Sequence, residues 1–388
     1  MGTFLLIVGL LLFIGLVVAH EFGHFLMARR GGVEVEEFGI FFPPRIWKRK
    51  TKGGYVFSIN LLPLGGFVKL KGEHDSDTEP GSFGAATTSR KVKIMLAGVG
   101  MNLIAALILF TILGWVGMPK LIDNQFVIKS DTKVVKNDVI INYIEPNSPA
   151  AHAGLKVRDR ITGLGTTGSI TQIKSDTQLP GLTRRYAGEK IQIDYQRNGI
   201  KHTLSTTLLS NDAVKQSQTA HNPKGYLGIQ PTEYTLQRST WSAPVVAVGL
   251  SGQLTWLTLQ GLGHAIGGLG GIIAGAFTAN HTARENAQTT ASSQVSGPVG
   301  IFVILKDGSL LGYQFMLMII AVISLTLAVM NVLPIPALDG GRLFVVAISR
   351  LMRRKISPKT EETIYASGFA VLMVLVIIIT FVDVKRFF

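Results

Sequence analysis

Long uncharged stretches are the strongest pattern along this 388-residue chain. Four stretches are mostly apolar and contain no Asp, Glu, Lys or Arg: residues 2–20, 94–119, 308–338 and 363–382. About 20 apolar residues in a helix cross the hydrocarbon core of a bilayer, so each stretch predicts a transmembrane helix. Charged residues make up only 16% of the chain, which excludes an ordinary cytosolic enzyme.

A fifth uncharged stretch, residues 239–283, is ambiguous. It is rich in Gly rather than Leu, which is less typical of a membrane span. One additional crossing here would also place the two most basic loops of the chain on opposite faces of the membrane. We therefore predict an interfacial helix on the outer surface.

Lys and Arg residues are concentrated in the two short loops that join the first two and the last two spans. Twelve lie in the first loop and six in the second, in a chain of net charge +14. Short loops of this composition stay on the cytoplasmic side, so the N-terminus, the long middle region and the C-terminus are predicted outside. Anionic headgroups account for these charges, which predicts membrane lipids as partners and no nucleic acid.

The predicted fold is a polytopic α-helical membrane protein with four transmembrane helices. A membrane-associated β region on the cytosolic side and one extracytoplasmic α+β domain complete it, because Tyr55–Ile59 and Ile191–Tyr195 alternate as half-buried strands do. The predicted segments are span one at 1–30, a strand-rich cytosolic segment at 31–93, span two at 94–119, an outer domain at 125–210, an outer linker with interfacial helices at 211–307, span three at 308–341, a cytosolic loop at 342–362 and span four at 363–384.

Span one contains the motif that indicates chemistry, His20-Glu21-Phe22-Gly23-His24. Residues four apart share a helix face, so the imidazoles of His20 and His24 can bind one metal ion. Glu21 lies beside them, where it can take a proton from an attacking water. The alternative is a helix end whose side chains snorkel to the headgroups. His20 precedes Arg29 by nine residues, about 13 Å of helix, which is deep for a charge without function.

Asp339 is the predicted third metal ligand. Zinc held by two histidines needs a third protein ligand and an open position, and the chain has no cysteine to supply a thiolate. Spans one and three both run from the outside to the cytosol. Asp339 lies three residues before Arg342, and His24 lies five residues before Arg29. The three candidate ligands therefore lie at comparable depth in the membrane. The prolines before Asp339 break the helix, and broken backbone at this depth must be buried in protein or line a watery cavity. A helix stop facing water is the alternative.

These motifs resemble the site-2 protease family of intramembrane zinc metalloproteases, in its bacterial type with an outer PDZ domain. His20–His24 is similar to the family's zinc motif with Glu21 as general base, and residues 331–340 are similar to its second signature, with Asp339 as the third ligand. The resemblance implies Zn²⁺ as cofactor and regulated intramembrane proteolysis in a bacterial inner membrane. Implied substrates are single-span membrane proteins, such as trimmed anti-sigma factors or signal-peptide remnants.

The resemblance also implies residues that bind substrate. Asn331 matches the family's asparagine near the site, and Gly65, Gly66 and Phe67 lie in its membrane-associated strand region. Asn102 ends a span-two motif in which the family's proline is lost. The strand-like segments 55–59 and 67–70 are candidates to pair with an extended substrate.

The outer domain resembles a PDZ domain through residues 147–155 and 188–199, with Arg158-Asp159 where Gly-Asp is usual. Two interpretations stay open for it, a peptide-binding module and a size filter or spacer. Residues 296–301 resemble the Gly-Pro element that precedes span three in the family.

The sequence disfavours two other functional classes. A catalytically silent scaffold is disfavoured because Glu21 and all three ligand candidates are present, and a zinc transporter is disfavoured because several spans would carry further polar residues. The Gly-rich segment 261–275 lacks a following Gly-Lys-Ser/Thr, so no nucleotide is predicted. The remaining histidines lack metal-ligand spacing and are predicted to be surface or loop residues: His74, His152, His202, His221, His264 and His281.

Overall fold

The computed structural model of the chain describes residues 2–75, 77–197, 199–218, 223–277, 297–353 and 356–387. These residues form two compact units, one from Met1–Leu113 with Ala243–Phe388 and one from Gly114–Ser242. Predictions for His221, His281, Asn198 and Ser296 lie outside the described residues, as does part of the ambiguous 239–283 stretch.

The elements follow one another along the chain as helices separated by two groups of strands. The helices are α1 Gly2–Arg30, α2 Thr88–Val116, α3 Pro149–His152, α4 Gln178–Arg185, α5 Asn211–Gln218, α6 Ala243–Phe277, α7 Pro298–Gly308, α8 Tyr313–Val332, α9 Asp339–Leu351 and α10 Pro358–Phe387. The strands are β1 Val35–Lys50, β2 Val56–Leu70, β3 Met118–Pro119, β4 Lys133–Ile144, β5 Arg160–Thr166, β6 Ser169–Gln172, β7 Lys190–Arg197, β8 Ile200–Thr207 and β9 Ile229–Arg238.

Five of the described helices are long and apolar enough to cross a membrane: Gly2–Arg30, Thr88–Val116, Ala243–Gly268, Tyr313–Val332 and Pro358–Lys385. The chain is therefore a polytopic membrane protein, and four of these helices coincide with the predicted spans. The fifth is the first part of α6, where the sequence predicted an interfacial helix. Its mean hydropathy of 1.2 is the lowest of the five. The high Gly content of this stretch therefore makes it the least apolar of the five helices.

Span boundaries differ from the prediction at two places. α2 begins at Thr88, six residues before the uncharged stretch, so the basic residues of 90–93 belong to the helix itself. The predicted third span, 308–341, is not one helix, because α8 ends at Val332 and α9 begins at Asp339. α9 in turn occupies half of the predicted 342–362 loop.

β1 and β2 form one antiparallel sheet in which both strands fold back on themselves. Glu37 pairs with Lys69 on one side and with Val56 on the other, and Phe38 pairs with Val68 and Phe57 in the same way. The first half of β1 thus lies between the two halves of β2. The second half of β2, Gly66–Leu70, is left at an edge of the sheet, with no strand beyond it among the described residues.

The Gly-Pro element before the third span is a helix start capped from another helix. Pro298 opens α7 at its first turn, and the buried Asp383 carboxylate of α10 accepts hydrogen bonds from the amides of Gly297 and Gly300, both at 2.8 Å. A Cβ at position 297 would lie 2.9 Å from Cγ2 of Ile379 and 3.0 Å from that carboxylate, so any larger residue there would have to displace both side chains. The capping carboxylate supplies the charge that a helix N-terminus favours.

The second unit is an α+β domain built on a seven-stranded sheet of order β3-β9-β4-β5-β7-β8, with β6 beside β5. Its core is one apolar cluster that includes Ile141, Leu164 and Ile193, each 0% exposed. Ser148 caps α3 through a 3.2 Å bond from the Ala151 amide, and Gly154 follows with φ +81°.

This unit is longer than the predicted 125–210 domain at both ends. β9 pairs with β4 along its whole length, from Lys133 opposite Arg238 to Ile144 opposite Ile229. Part of the predicted 211–307 linker is therefore an inner strand of the sheet, between β3 and β4. At its end Asp131 accepts hydrogen bonds from the backbone amides of Thr240 and Ser242. Hydrogen bonds from the Ser242 and Thr240 hydroxyls hold the pKa of Asp131 well below its usual range.

Arg158 has a backbone conformation that favours glycine. Its φ is +74°, in the left-handed region that costs an L-residue conformational energy. The next residue, Asp159, is 1% exposed and accepts a 2.8 Å hydrogen bond from the Lys156 amide and a two-pronged contact from Arg197. These contacts stabilise the turn at Arg158-Asp159.

Candidate metal centre

Two helices meet closely at the HExxH motif because glycines remove the side chains between them. A Cβ at Gly23 of α1 would lie 2.6 Å from the Ala97 carbonyl oxygen of α2. A Cβ at Gly98 would lie 2.7 Å from Cε1 and 2.8 Å from Nε2 of His20, and would also strike the His24 ring. Small residues allow such approach between membrane helices, and here they let α2 form one wall around both imidazoles.

Asp339 reaches the same point because the chain breaks between α8 and α9. The segment 333–338 holds two prolines and Ala337 at φ +80°, and Asp339 is the first residue of α9. Gly340 and Gly341 follow, and a Cβ at either position would collide with backbone carbonyls of the preceding turn. The glycines are therefore needed for α9 to turn back against the end of α8 and present Asp339 to α1.

Three side-chain atoms converge at this point in a nearly equilateral triangle. Nε2 of His20 and Nε2 of His24 are 3.2 Å apart, and Oδ2 of Asp339 lies 3.2 Å and 3.1 Å from them. Tetrahedral zinc has ligand bonds of about 2.0–2.2 Å, which separates its ligand atoms by slightly more than 3 Å. Within the described residues this is the one cluster of three or more His, Asp or Glu ligand atoms with metal-binding spacing.

The surrounding hydrogen bonds favour a metal at the centre of the triangle. Nδ1 of His24 lies 2.8 Å from the Ile94 carbonyl oxygen. That oxygen accepts a hydrogen bond from Nδ1–H, so the lone pair of the ring is on Nε2. Oδ2 of Asp339 is buried and has no hydrogen-bond partner among the described residues. A buried carboxylate oxygen without a donor is costly unless a cation binds it. The donor set therefore fits Zn²⁺.

Glu21 lies between the triangle and the edge strand of the β1–β2 sheet. A Cβ at Gly66 would lie 3.0 Å from Cγ of Glu21, so the strand passes directly over this side chain. Val68 of the same strand lines one cavity together with Glu21. The strand thus fixes Glu21 beside the three converging atoms.

A cavity of about 450 Å³ opens from these residues. Its walls are the acidic and imidazole groups of the cluster, the edge strand, the first turn of α9 and the 365–369 part of α10. The lining residues are Glu21, His24, Gly66, Phe67, Val68, Lys69, Leu70, Glu73, Phe83, Ile94, Met95, Ala337, Leu338, Asp339, Arg342, Tyr365 and Phe369. One wall is therefore a free strand edge and the opposite end is polar, so the cavity has room for an extended peptide segment and for water.

The predicted substrate residues fall in different places. Gly66 and Phe67 line the cavity, whereas Gly65 borders a separate small cleft against α1. Asn331 is half-buried in the last turn of α8, near the break. Asn102 is 1% exposed and faces Nδ1 of His20 rather than the cavity.

Sequence reasoning missed Gly98 as a part of this site. The structure puts this glycine of span two against both imidazoles. Its position four residues before Asn102 was the available signal, since both then face His20 from α2. The other described histidines do not join the centre; His74 lies 3.9 Å from Glu361, and His202 stacks on Tyr195.

Comparison with known proteins gives one consistent result. A model of peptidase family M50 matches residues 8–375. A protein of Clostridium acetobutylicum whose name places it among the zinc metalloproteases is 31% identical, over 99% of this chain and 98% of its own length. A similarly named protein of Clostridium perfringens is 28% identical over 98% of both chains. The zinc metalloprotease RasP of Geobacillus kaustophilus is 25% identical over 98% of this chain and 97% of its own.

Proposed function

The chain belongs to peptidase family M50 and is a membrane-embedded zinc metalloprotease, and from this premise we propose that it cleaves substrates within or beside their transmembrane helices. The observation that carries the proposal is the triangle of His20, His24 and Asp339 with Glu21 beside it. The histidines and Glu21 lie on α1, which is long enough to cross a bilayer, and Asp339 follows the break after α8, which is also long enough. A site of this kind on membrane helices acts on peptide bonds at membrane depth.

His20, His24 and Asp339 hold the metal through Nε2, Nε2 and Oδ2. The chemistry that zinc supplies when bound is Lewis acidity toward the scissile carbonyl and the attacking water. Glu21 accepts the proton from that water and delivers it to the leaving amine nitrogen. Gly66, which lies against Glu21, keeps this side chain in place for both transfers.

The edge strand Gly66–Leu70 binds the substrate backbone. A helical substrate hides its scissile bond within its own hydrogen bonds, so the segment must unwind before cleavage. The unpaired edge next to Glu21 offers main-chain partners to the unwound segment, as strand addition does elsewhere. The other sequence candidate, Tyr55–Ile59, cannot do so, because Val56 to Ile59 already pair with β1 on both sides.

The topology and substrates follow from the same picture. With α6 lying along the outer surface rather than crossing, both loops rich in Lys and Arg face the cytosol of a bacterium, and the 114–242 unit lies outside its inner membrane. Substrates are single-span proteins already trimmed outside, such as anti-sigma factors or signal-peptide remnants, and the process is regulated intramembrane proteolysis. The outer unit is PDZ-like and excludes substrates that have not been trimmed; its capped α3 and its turn at Arg158-Asp159 support this assignment.

The proposal is tested with purified protein in lipid nanodiscs, a single-span reporter and Glu21→Gln. Loss of the base should lower kcat by about 10²–10⁴-fold while one zinc per chain is retained. Glu362→Gln, on the exposed face of α10, is the matched control and should cleave like the native chain. Cleavage that survives Glu21→Gln removes Glu21 as base, and zinc-loaded native protein that cleaves no reporter favours a scaffold.

A further inference from the structure

Asn102 is a buried polar residue whose contacts point to a role different from substrate binding. It lies on α2 with 1% exposure, and its side-chain amide nitrogen is 3.2 Å from Nδ1 of His20. It is not among the residues that line the cavity. An extended peptide bound along the edge strand therefore has no access to the Asn102 amide.

The backbone around Asn102 is held by a second buried contact. The hydroxyl of Ser324 on α8, itself 0% exposed, donates a 2.7 Å hydrogen bond to the Asn102 carbonyl oxygen. This bond ties α2 to the helix that leads into Asp339. The backbone at Asn102 is thus fixed relative to α8, the helix that precedes Asp339.

The two histidines have equivalent surroundings on the side away from the triangle. Nδ1 of His24 faces the Ile94 carbonyl oxygen, and Nδ1 of His20 faces the Asn102 amide. A histidine that binds metal through Nε2 carries its proton on Nδ1 and needs an acceptor there. For His24 the acceptor is the backbone, and for His20 only the Asn102 amide oxygen can serve among its described contacts.

We propose that Asn102 is the positioning residue for His20, holding its Nδ1–H through Oδ1 so that the Nε2 lone pair points at the metal. Oδ1 is buried without a hydrogen-bond partner in the present orientation of the amide. Rotating the Asn102 side-chain amide by half a turn about its Cβ–Cγ bond exchanges its oxygen and nitrogen. This rotation brings Oδ1 of Asn102 to Nδ1 of His20. This inference rests on the proposed metal site and adds a role for α2 in it.

The test measures zinc affinity by competition with a chelator in the full-length protein. Asn102→Leu keeps the approximate size but removes the acceptor, and should weaken zinc binding by about 10–100-fold. Asn102→Asp restores an acceptor and should bind zinc at least as tightly as the native chain. Substitution with Co²⁺ gives an absorption spectrum that should change in Asn102→Leu and keep the native form in Asn102→Asp.

The outcomes separate this inference from the proposed function. Native protein that binds no zinc overturns both. Native protein with zinc, together with a folded Asn102→Leu variant of unchanged zinc affinity and raised KM, overturns the positioning role and restores a substrate role for Asn102. If Asn102→Leu does not fold, Asn102→Asp decides alone, because a tenfold loss of zinc affinity in that variant contradicts the proposal.

Discussion

Gly98 and His20 are so close that a Cβ added to the glycine would lie 2.8 Å from Nε2, the atom that faces the metal site. No glycine-specific backbone angle is involved, since Gly98 lies within helix α2. The glycine is required purely by the space that the two imidazoles occupy. The structure therefore makes a helix that contributes no metal ligand essential to the metal centre.

Gly98→Ala should displace the imidazoles and lower both zinc occupancy and activity. A displacement of about 1 Å at a reacting centre costs about 100-fold in rate, and the loss of zinc adds to it. The measurement is elemental analysis with reporter cleavage. Gly100→Ala is the control on the same helix, because nothing lies within 4 Å of a Cβ there. Equal losses in both variants would show a general effect on the helix instead.

Gly66→Ala should affect catalysis without affecting zinc. Its Cβ would press on Cγ of Glu21 at 3.0 Å and on the Gly39 carbonyl oxygen at 3.2 Å, but it touches no ligand of the triangle. We expect kcat to fall by about 10-fold or more, since the base contributes about 10²–10⁴-fold in total. Gly15→Ala, which faces open space on α1, should change neither quantity. A kcat in Gly66→Ala equal to that of the native protein would contradict the claim that the edge strand positions Glu21.

The edge strand also predicts where substrate is captured. A photo-crosslinking residue at Lys69, on the cavity wall, should trap a single-span substrate in the Glu21→Gln background. The same residue at Lys48, which lies on the opposite outer strand and pairs with Ser58, should trap little. Gel analysis of the crosslinked products reads the result. Equal capture at both positions would contradict binding along the Gly66–Leu70 edge.

How much of this could be predicted from the sequence depends on how far apart the interacting residues lie. Helix spacing alone predicts that His20 and His24 share one helix face. Membrane depth and the prolines before it predict that Asp339 lies near them, so the sequence predicts that the three side chains come together. The pairing of β1 with both halves of β2 was not predictable. Apolar and polar residues alternate along each half-strand in the same way whichever neighbouring strand it pairs with. The pairing of β9 with β4 was missed for a similar reason, since it joins segments about 100 residues apart and one of them was assigned to a linker.

A buried ion pair between Asp75, which lies outside the membrane-crossing helices, and Lys91 in the first turn of α2 gives a pH-dependent prediction. Burial acts to raise the pKa of Asp75, but the hydrogen bond from Lys91 and the charges of Lys91 and Arg350 outweigh it and hold the pKa below its usual range. A depressed carboxyl pKa contributes stability that is present above the unfolded-state pKa of about 3.9 and is lost as the pH falls through the folded-state value. The contribution should therefore be complete at pH 7.

Asp75→Asn should lower the stability at pH 7 by about 3 kcal/mol, because it leaves Lys91 charged, 0% exposed and without its carboxylate. The measurement is the apparent Tm of the native and variant proteins from pH 7 down to pH 3. The difference should narrow below about pH 4. The double variant with Lys91→Met should recover part of the loss, and an unchanged Tm in Asp75→Asn would contradict the role of the pair.

The position of the metal is the central claim, and diffraction at the zinc absorption edge tests it most directly. Crystals of the zinc-loaded native protein should show one anomalous peak about 2 Å from Nε2 of His20, Nε2 of His24 and the Asp339 carboxylate. The peak should disappear in Asp339→Ala and persist in Glu21→Gln. A peak at any other group of residues, or a peak unchanged in Asp339→Ala, would contradict the account.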